Sequence, residues 1–146
     1  MERRKFLGLG LTAAAVLPVA LSAKDFRQEK PDVWTAHKVE PAIEALYGKI
    51  TPIEEGIKIQ LPKVASNGGA VPVKFKSDIP AKTVALFQDA NPESAVAVFD
   101  EPSVIDFYIN IKMKASGTIT VVVEGKDGKF YIGKQSLEVA LGGCEG

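Results

Sequence analysis

The sequence is poor in the residues that most often carry chemistry. One cysteine, Cys144, and one histidine, His37, stand in 146 residues. A lone cysteine excludes an internal disulfide and any multi-cysteine metal site. A lone histidine leaves no histidine cluster for a metal and argues against a histidine-based triad. Neither sign of charge dominates, with 18 basic and 18 acidic residues over the full chain. Residues 1–23 hold three of the basic and one of the acidic residues, so the remainder has 15 basic and 17 acidic, net about −2. Nucleic-acid binding normally needs a concentrated basic face, and none is evident. There is no internal repeat and no low-complexity tract. What is present is ordinary globular composition, 46% hydrophobic and 25% charged, enough for a core without staples. The length predicts one domain.

The one long apolar run is at the start. Arg3, Arg4 and Lys5 precede a stretch from Leu7 to Leu21, and the small residues Ser22 and Ala23 follow. This order predicts a targeting segment over 1–23, cut after Ala23. The pair Arg3-Arg4 before Lys5-Phe6-Leu7 predicts export by the twin-arginine route to the periplasm. The run is short and Gly/Ala-rich for a membrane span, although an uncleaved anchor is the alternative. Twin-arginine export moves folded proteins. With no cofactor motif downstream, a co-exported partner is the expected reason for it.

Residues 24–40 form a charged segment without clear period. Pro41, Ile43, Leu46 and Tyr47, with Gly48 as a stop, predict a short helix. Alternation then predicts strands at Ile57–Leu61, Val71–Lys76, Thr83–Gln88, Ser94–Phe99, Asp106–Met113, Thr118–Glu124, Lys129–Ile132 and Ser136–Leu141. Pro62 ends the first, and Pro72 suggests an edge or a strand start. Asn67-Gly68-Gly69, Asn91-Pro92 and Asp127-Gly128 are the turn signals. The expected fold is all-β: an immunoglobulin-like antiparallel β-sandwich over 41–141, with a short N-terminal helix and a flexible glycine-rich arm over 142–146.

That arm reads Gly142-Gly143-Cys144-Glu145-Gly146. Fully extended, five residues reach roughly 17 Å. Gly142, Gly143 and Gly146 remove side-chain bulk and open backbone space. Cys144 offers a nucleophilic sulfur for a covalent adduct. A lone thiol on a thin arm suits a carrier of a covalently held intermediate. It suits an enzyme poorly, because no neighbour supplies a base. In an oxidising compartment an exposed thiol calls for a reason, and an intermolecular disulfide is the competing one.

Other residues carry less. His37 is expected to be solvated, and Trp34 to cover an edge or a partner surface. Asp100, Glu101 and Asp106 flank a turn with Pro102 and are expected to be solvated loop carboxylates. Val121 and Val123 are expected in the core.

The leader, the β-rich body and the terminal Gly-Gly-Cys together resemble the SoxY family of sulfur carriers. The segment Ala65-Ser66-Asn67-Gly68-Gly69-Ala70-Val71-Pro72-Val73 is similar to a family stretch in which an Asn-Gly turn precedes Val-Pro-Val. Asn91-Pro92-Glu93, before a strand ending near Phe99, is similar to another. The resemblance covers most of Lys38 to Gly146. It implies an immunoglobulin-like sandwich paired with a SoxZ-like β-sandwich subunit in a heterodimer. It implies that Cys144 is joined oxidatively to thiosulfate by a SoxAX-type c cytochrome, and that a SoxB-type hydrolase then releases sulfate. A sulfane dehydrogenase is a further expected partner. The carrier itself binds no metal or organic cofactor and catalyses nothing, and neither nucleic acid nor a membrane is expected as a partner. Glu145 departs from the family tail, which usually has glycine there. A carboxylate beside Cys144 disfavours the thiolate, weakly in water.

Three functions therefore stand side by side: a covalent sulfur carrier, an assembly module cross-linked through its cysteine, and an enzyme with a cysteine nucleophile.

Overall fold

The computed structural model describes residues 25–140. Three short helices come first: α1 (Phe26–Glu29), α2 (Pro31–Thr35) and α3 (Val39–Tyr47). Eight strands follow: β1 (Ile57–Gln60), β2 (Val64–Ala65), β3 (Val71–Ser77) and β4 (Ala81–Gln88), then β5 (Ala95–Asp100), β6 (Ile105–Ile111), β7 (Gly117–Gly125) and β8 (Phe130–Val139). They form two sheets, β1-β3-β6 and β2-β8-β7-β4-β5, packed as an immunoglobulin-like sandwich.

The predicted helix is α3. Pro41 stands in its first turn, where a missing N–H leaves no bond unmade. Gly48 closes it at φ 78°, with its N–H donating to Glu44 O. The single helix expected from the sequence is one of three, however. Asp25 caps α1 by accepting from the Arg27 N–H, and Pro31 opens α2. Elements this short carry no readable period. Val33, fully buried, anchors α2 beside α3 instead.

Alternation places Val71, Val73 and Phe75 of β3 inward and Lys74 and Lys76 outward. Pairing with β1 begins only at Lys74, so β3 is locally an edge at Pro72, as proline requires. Between the sheets lie Phe75, Leu86, Met113, Ile119 and Val121, with Val123 and Val139 beside them. A second core lies on the far face of the larger sheet. There Ala85, Phe87, Val122 and Ile132 meet Val33, Ala42, Ile43 and Leu46 of the helices. Strands β4 and β7 are thus buried on both faces, which is why their burial is nearly continuous.

Two departures from the expected strands have a clear cause. The strands expected at Lys129–Ile132 and from Ser136 onward are one strand, β8 (Phe130–Val139), running through Gly133 without a break. Gly133 does not end the strand. It makes room for the opposite sheet, since a Cβ there would lie 3.1 Å from both Cβ and Cγ2 of Ile57. The sandwich is also not wholly antiparallel, because the two-residue strand β2 runs parallel to β8.

Candidate functional site

The described body ends just after β8, the strand that precedes the predicted Gly142, Gly143 and Cys144. Leu137 and Val139 face the core and fix the strand. On one side β2 clips it: Glu138 N–H donates to Lys63 O at 3.1 Å, and Ala140 N–H donates to Ala65 O at 2.9 Å. On the other side Val139 N–H donates to Ser116 Oγ at 2.8 Å. The last described residues are therefore held from both flanks.

The neighbouring loops are braced by side-chain hydrogen bonds to backbone. Asn91 Nδ2 donates to Lys112 O at 2.6 Å, and Asn91 Oδ1 accepts from the Lys114 N–H at 3.0 Å. Buried Gln88 accepts from the N–H groups of Ala90 and Asn91, each at 2.7 Å, and donates to Glu93 O. Asp89 accepts from the Thr118 N–H at 2.7 Å. Across the sandwich, Asn67 Oδ1 accepts from the Gly69 N–H, and Met113 N–H donates to Gly68 O at 2.8 Å. The two segments that carry the family resemblance, 65–73 and 91–93, thus gather at the end of the sandwich where the chain exits. They read in the sequence only as turns. The bracing roles of Asn91 and Ser116 join strands distant in sequence and have no local signal.

Cys144, Gly142, Gly143 and Gly146 lie outside the described residues, as does the leader over 1–23. Among the described residues no group of three or more His, Cys, Asp and Glu is placed to hold a metal ion. None of their helices is long and apolar enough to cross a membrane. His37 is exposed, and its Nδ1–H donates to Pro92 O at 2.8 Å, tying the helical layer to the β4–β5 loop. Trp34 is half-buried and donates to Phe26 O, with the Arg27 guanidinium 4.4 Å from the ring centroid. Asp100 and Glu101 are exposed, as is Asp106, and Glu101 approaches Lys126 at 3.9 Å. Val121 and Val123 are fully buried, as expected.

The family model described as "Sulfur oxidation protein SoxY" matches residues 43–144, a span that ends on the cysteine. The chain belongs to the SoxY family. The sulfur carrier protein SoxY from Chlorobium limicola f thiosulfatophilum shares 30% identity and a TM-score of 0.62, covering 69% of this chain and 94% of that one. A superoxide reductase (neelaredoxin) from Ignicoccus hospitalis is similar at 16% identity and TM-score 0.51, covering 59% and 81%. That likeness shows a shared sandwich and no more. No curated protein matches the chain. The matched span takes in the residues that follow β8, up to Cys144.

Proposed function

We propose that the protein is a carrier that holds thiosulfate-derived sulfur covalently on Cys144 and presents it to partner enzymes. The observation that carries this reading is the span of the family match, which runs through the body and includes residue 144. The braced exit supports it. A fixed anchor limits the region that a glycine-rich arm can sweep, and β8 is held on both sides up to Ala140. Gly142 and Gly143 keep the approach to the sulfur free of side-chain bulk.

The chemistry of loading is oxidative. The Cys144 thiolate and the sulfane sulfur of thiosulfate join in a new S–S bond while an electron pair leaves to an acceptor, a c-type cytochrome of the SoxAX kind. Hydrolysis by a SoxB-type enzyme then places water oxygen on the terminal sulfonate, releases sulfate and leaves a persulfide on Cys144. A sulfane dehydrogenase is a further enzyme that would act on that persulfide. On this reading the chain is a substrate of its partners and not itself an enzyme. It is exported by the twin-arginine route to the periplasm and works beside a SoxZ-like subunit.

The test is the intact mass of protein isolated from the periplasm, before and after reductant, with Cys144→Ser alongside. Added mass of about 32, 80 or 112 Da, for sulfur, sulfonate or thiosulfate on the nucleophile, removed by reductant and absent from the variant, is expected. Unmodified thiol after incubation with thiosulfate and a competent extract would refute the carrier.

A further inference from the structure

The outer face of the smaller sheet is basic. Strands β1, β3 and β6 turn Lys58, Lys74 and Lys76 outward beside Gln60, Tyr108 and Asn110, and all six are exposed. Asp106 is the one carboxylate among the outward residues of these strands. The register places Lys58 directly opposite Lys76, with Lys74 two residues along β3. Like charges directly opposite on one face destabilise a sheet. None of the three lysines has an ion-pair or hydrogen-bond partner among the described residues. The chain after residue 23 is net about −2, so this positive face stands against an acidic remainder.

The same face carries apolar surface. Tyr108, paired with Lys74, is 65% exposed, and Val104, just before β6, is 69% exposed. Exposed tyrosine bordered by charge is a composition typical of protein-docking patches. The position suits a carrier as well. Met113 N–H donates to Gly68 O, and Ala140 N–H donates to Ala65 O. The start of β3 and the end of β6 therefore lie at the β8 exit. Lys74 is three residues into β3 from Val71, roughly 10 Å at the rise of a strand. The five-residue arm reaches roughly 17 Å. A protein seated on the lysines and overhanging that end is within reach of the arm.

We propose that this face docks an acidic surface of the enzyme that loads Cys144, gripping it through Lys58, Lys74 and Lys76 while the arm enters its site. The inference rests on the carrier reading and adds the surface by which the loading partner is recognised. Opposite charge draws the partner in, so association is fast at low salt and slows as salt screens the lysines. A carboxylate placed between Lys58 and Lys76 relieves their mutual repulsion. The pair is therefore complementary to an acidic partner and hostile to a basic one. The lysines touch no reacting atom; their part is to hold and orient the two proteins.

The test is the rate at which a competent extract loads thiosulfate onto Cys144 of the full chain, read by intact mass over a series of sodium chloride concentrations. Parent protein should load fastest at low salt. Lys58→Gln, Lys74→Gln and Lys76→Gln together should slow loading about tenfold or more at low salt and flatten its salt dependence. Lys58→Arg, Lys74→Arg and Lys76→Arg together should keep the parent rate. Alkylation of Cys144 by iodoacetamide, a small neutral reagent, should run equally in all three proteins. The melting temperature should not fall, because the side chains are exposed. Equal loading of the parent and the glutamine variant overturns the docking face and leaves the carrier intact. A rate lost equally in the arginine variant, or a changed oligomeric state in the glutamine variant, also overturns it. Parent protein that never loads overturns the carrier reading, and this inference with it.

Discussion

Gly133 shows how one missing side chain sets the distance between two layers. Its hypothetical Cβ would press on Ile57 at 3.1 Å. Gly133→Val should therefore cost about 1–3 kcal/mol, the usual range for overpacking a filled core. Urea denaturation checks this, and Ile57→Ala in the same chain should recover part of the loss by making room. Ser94 is the opposite case. Its hydroxyl is buried with no hydrogen-bond partner among the described residues. Removing an unsatisfied buried polar group is close to neutral or favourable, so Ser94→Ala should match or exceed the parent melting temperature. Neither site is visible in the sequence. Alternation breaks a strand at Gly133 and starts one at Ser94, and neither reading shows the packing, because both properties depend on what the fold brings opposite.

Helix α3 is joined to the larger sheet by one polar chain as well as by apolar packing. Tyr47 Oη lies 2.7 Å from Thr83 Oγ1, which donates to Glu124 Oε1 at 3.0 Å. Burial pushes the Tyr47 phenol well above its ordinary value, against the lowering by the Thr83 hydrogen bond and with help from the Glu124 charge. The sign follows directly. An unfolded tyrosine ionises near pH 10, while the folded one keeps its proton. Stability from this group is therefore complete below about pH 10 and declines above it, because the unfolded state then binds fewer protons. Tyr47→Phe should remove that alkaline decline, measured as the difference in denaturation midpoint between pH 8 and pH 11, both about those values. It should also cost about 0.5–1.5 kcal/mol at neutral pH. The loop braced by Asn91 makes a separate prediction. Asn91→Ala removes the acceptor for the Lys114 N–H, so hydrogen exchange at Lys114 should quicken while β4 and β7 stay protected. The strands themselves were legible from alternation and turn residues. Asp127-Gly128 does turn the chain between β7 and β8, with Gly128 at φ 83°. Strand β2 was not legible, because two residues have no period and their partner lies more than seventy residues away. Helices α1 and α2 were hidden for a similar reason: Val33 is their single buried residue.

The molecule as a whole is a sandwich with a third layer, and the three layers are unequal. The larger sheet is covered by the smaller sheet on one face and by the helices on the other. Among the described residues the smaller sheet is covered on one face only, by the larger sheet. Cys144 and the glycines before it lie outside the described residues, and the mounting of β8 that precedes them was not readable in the sequence. Strands and loops from distant parts of the chain meet at the β8 exit, and only the fold assembles them. That mounting has a mechanical meaning. Strand β8 is laced along its length to β7 and again at its last residues to β2, which runs in the same direction. A tug on the residues beyond Ala140 acts along the strand and across these bonds sideways. The load is shared by the whole ladder in shear, and the bonds are not peeled open one at a time.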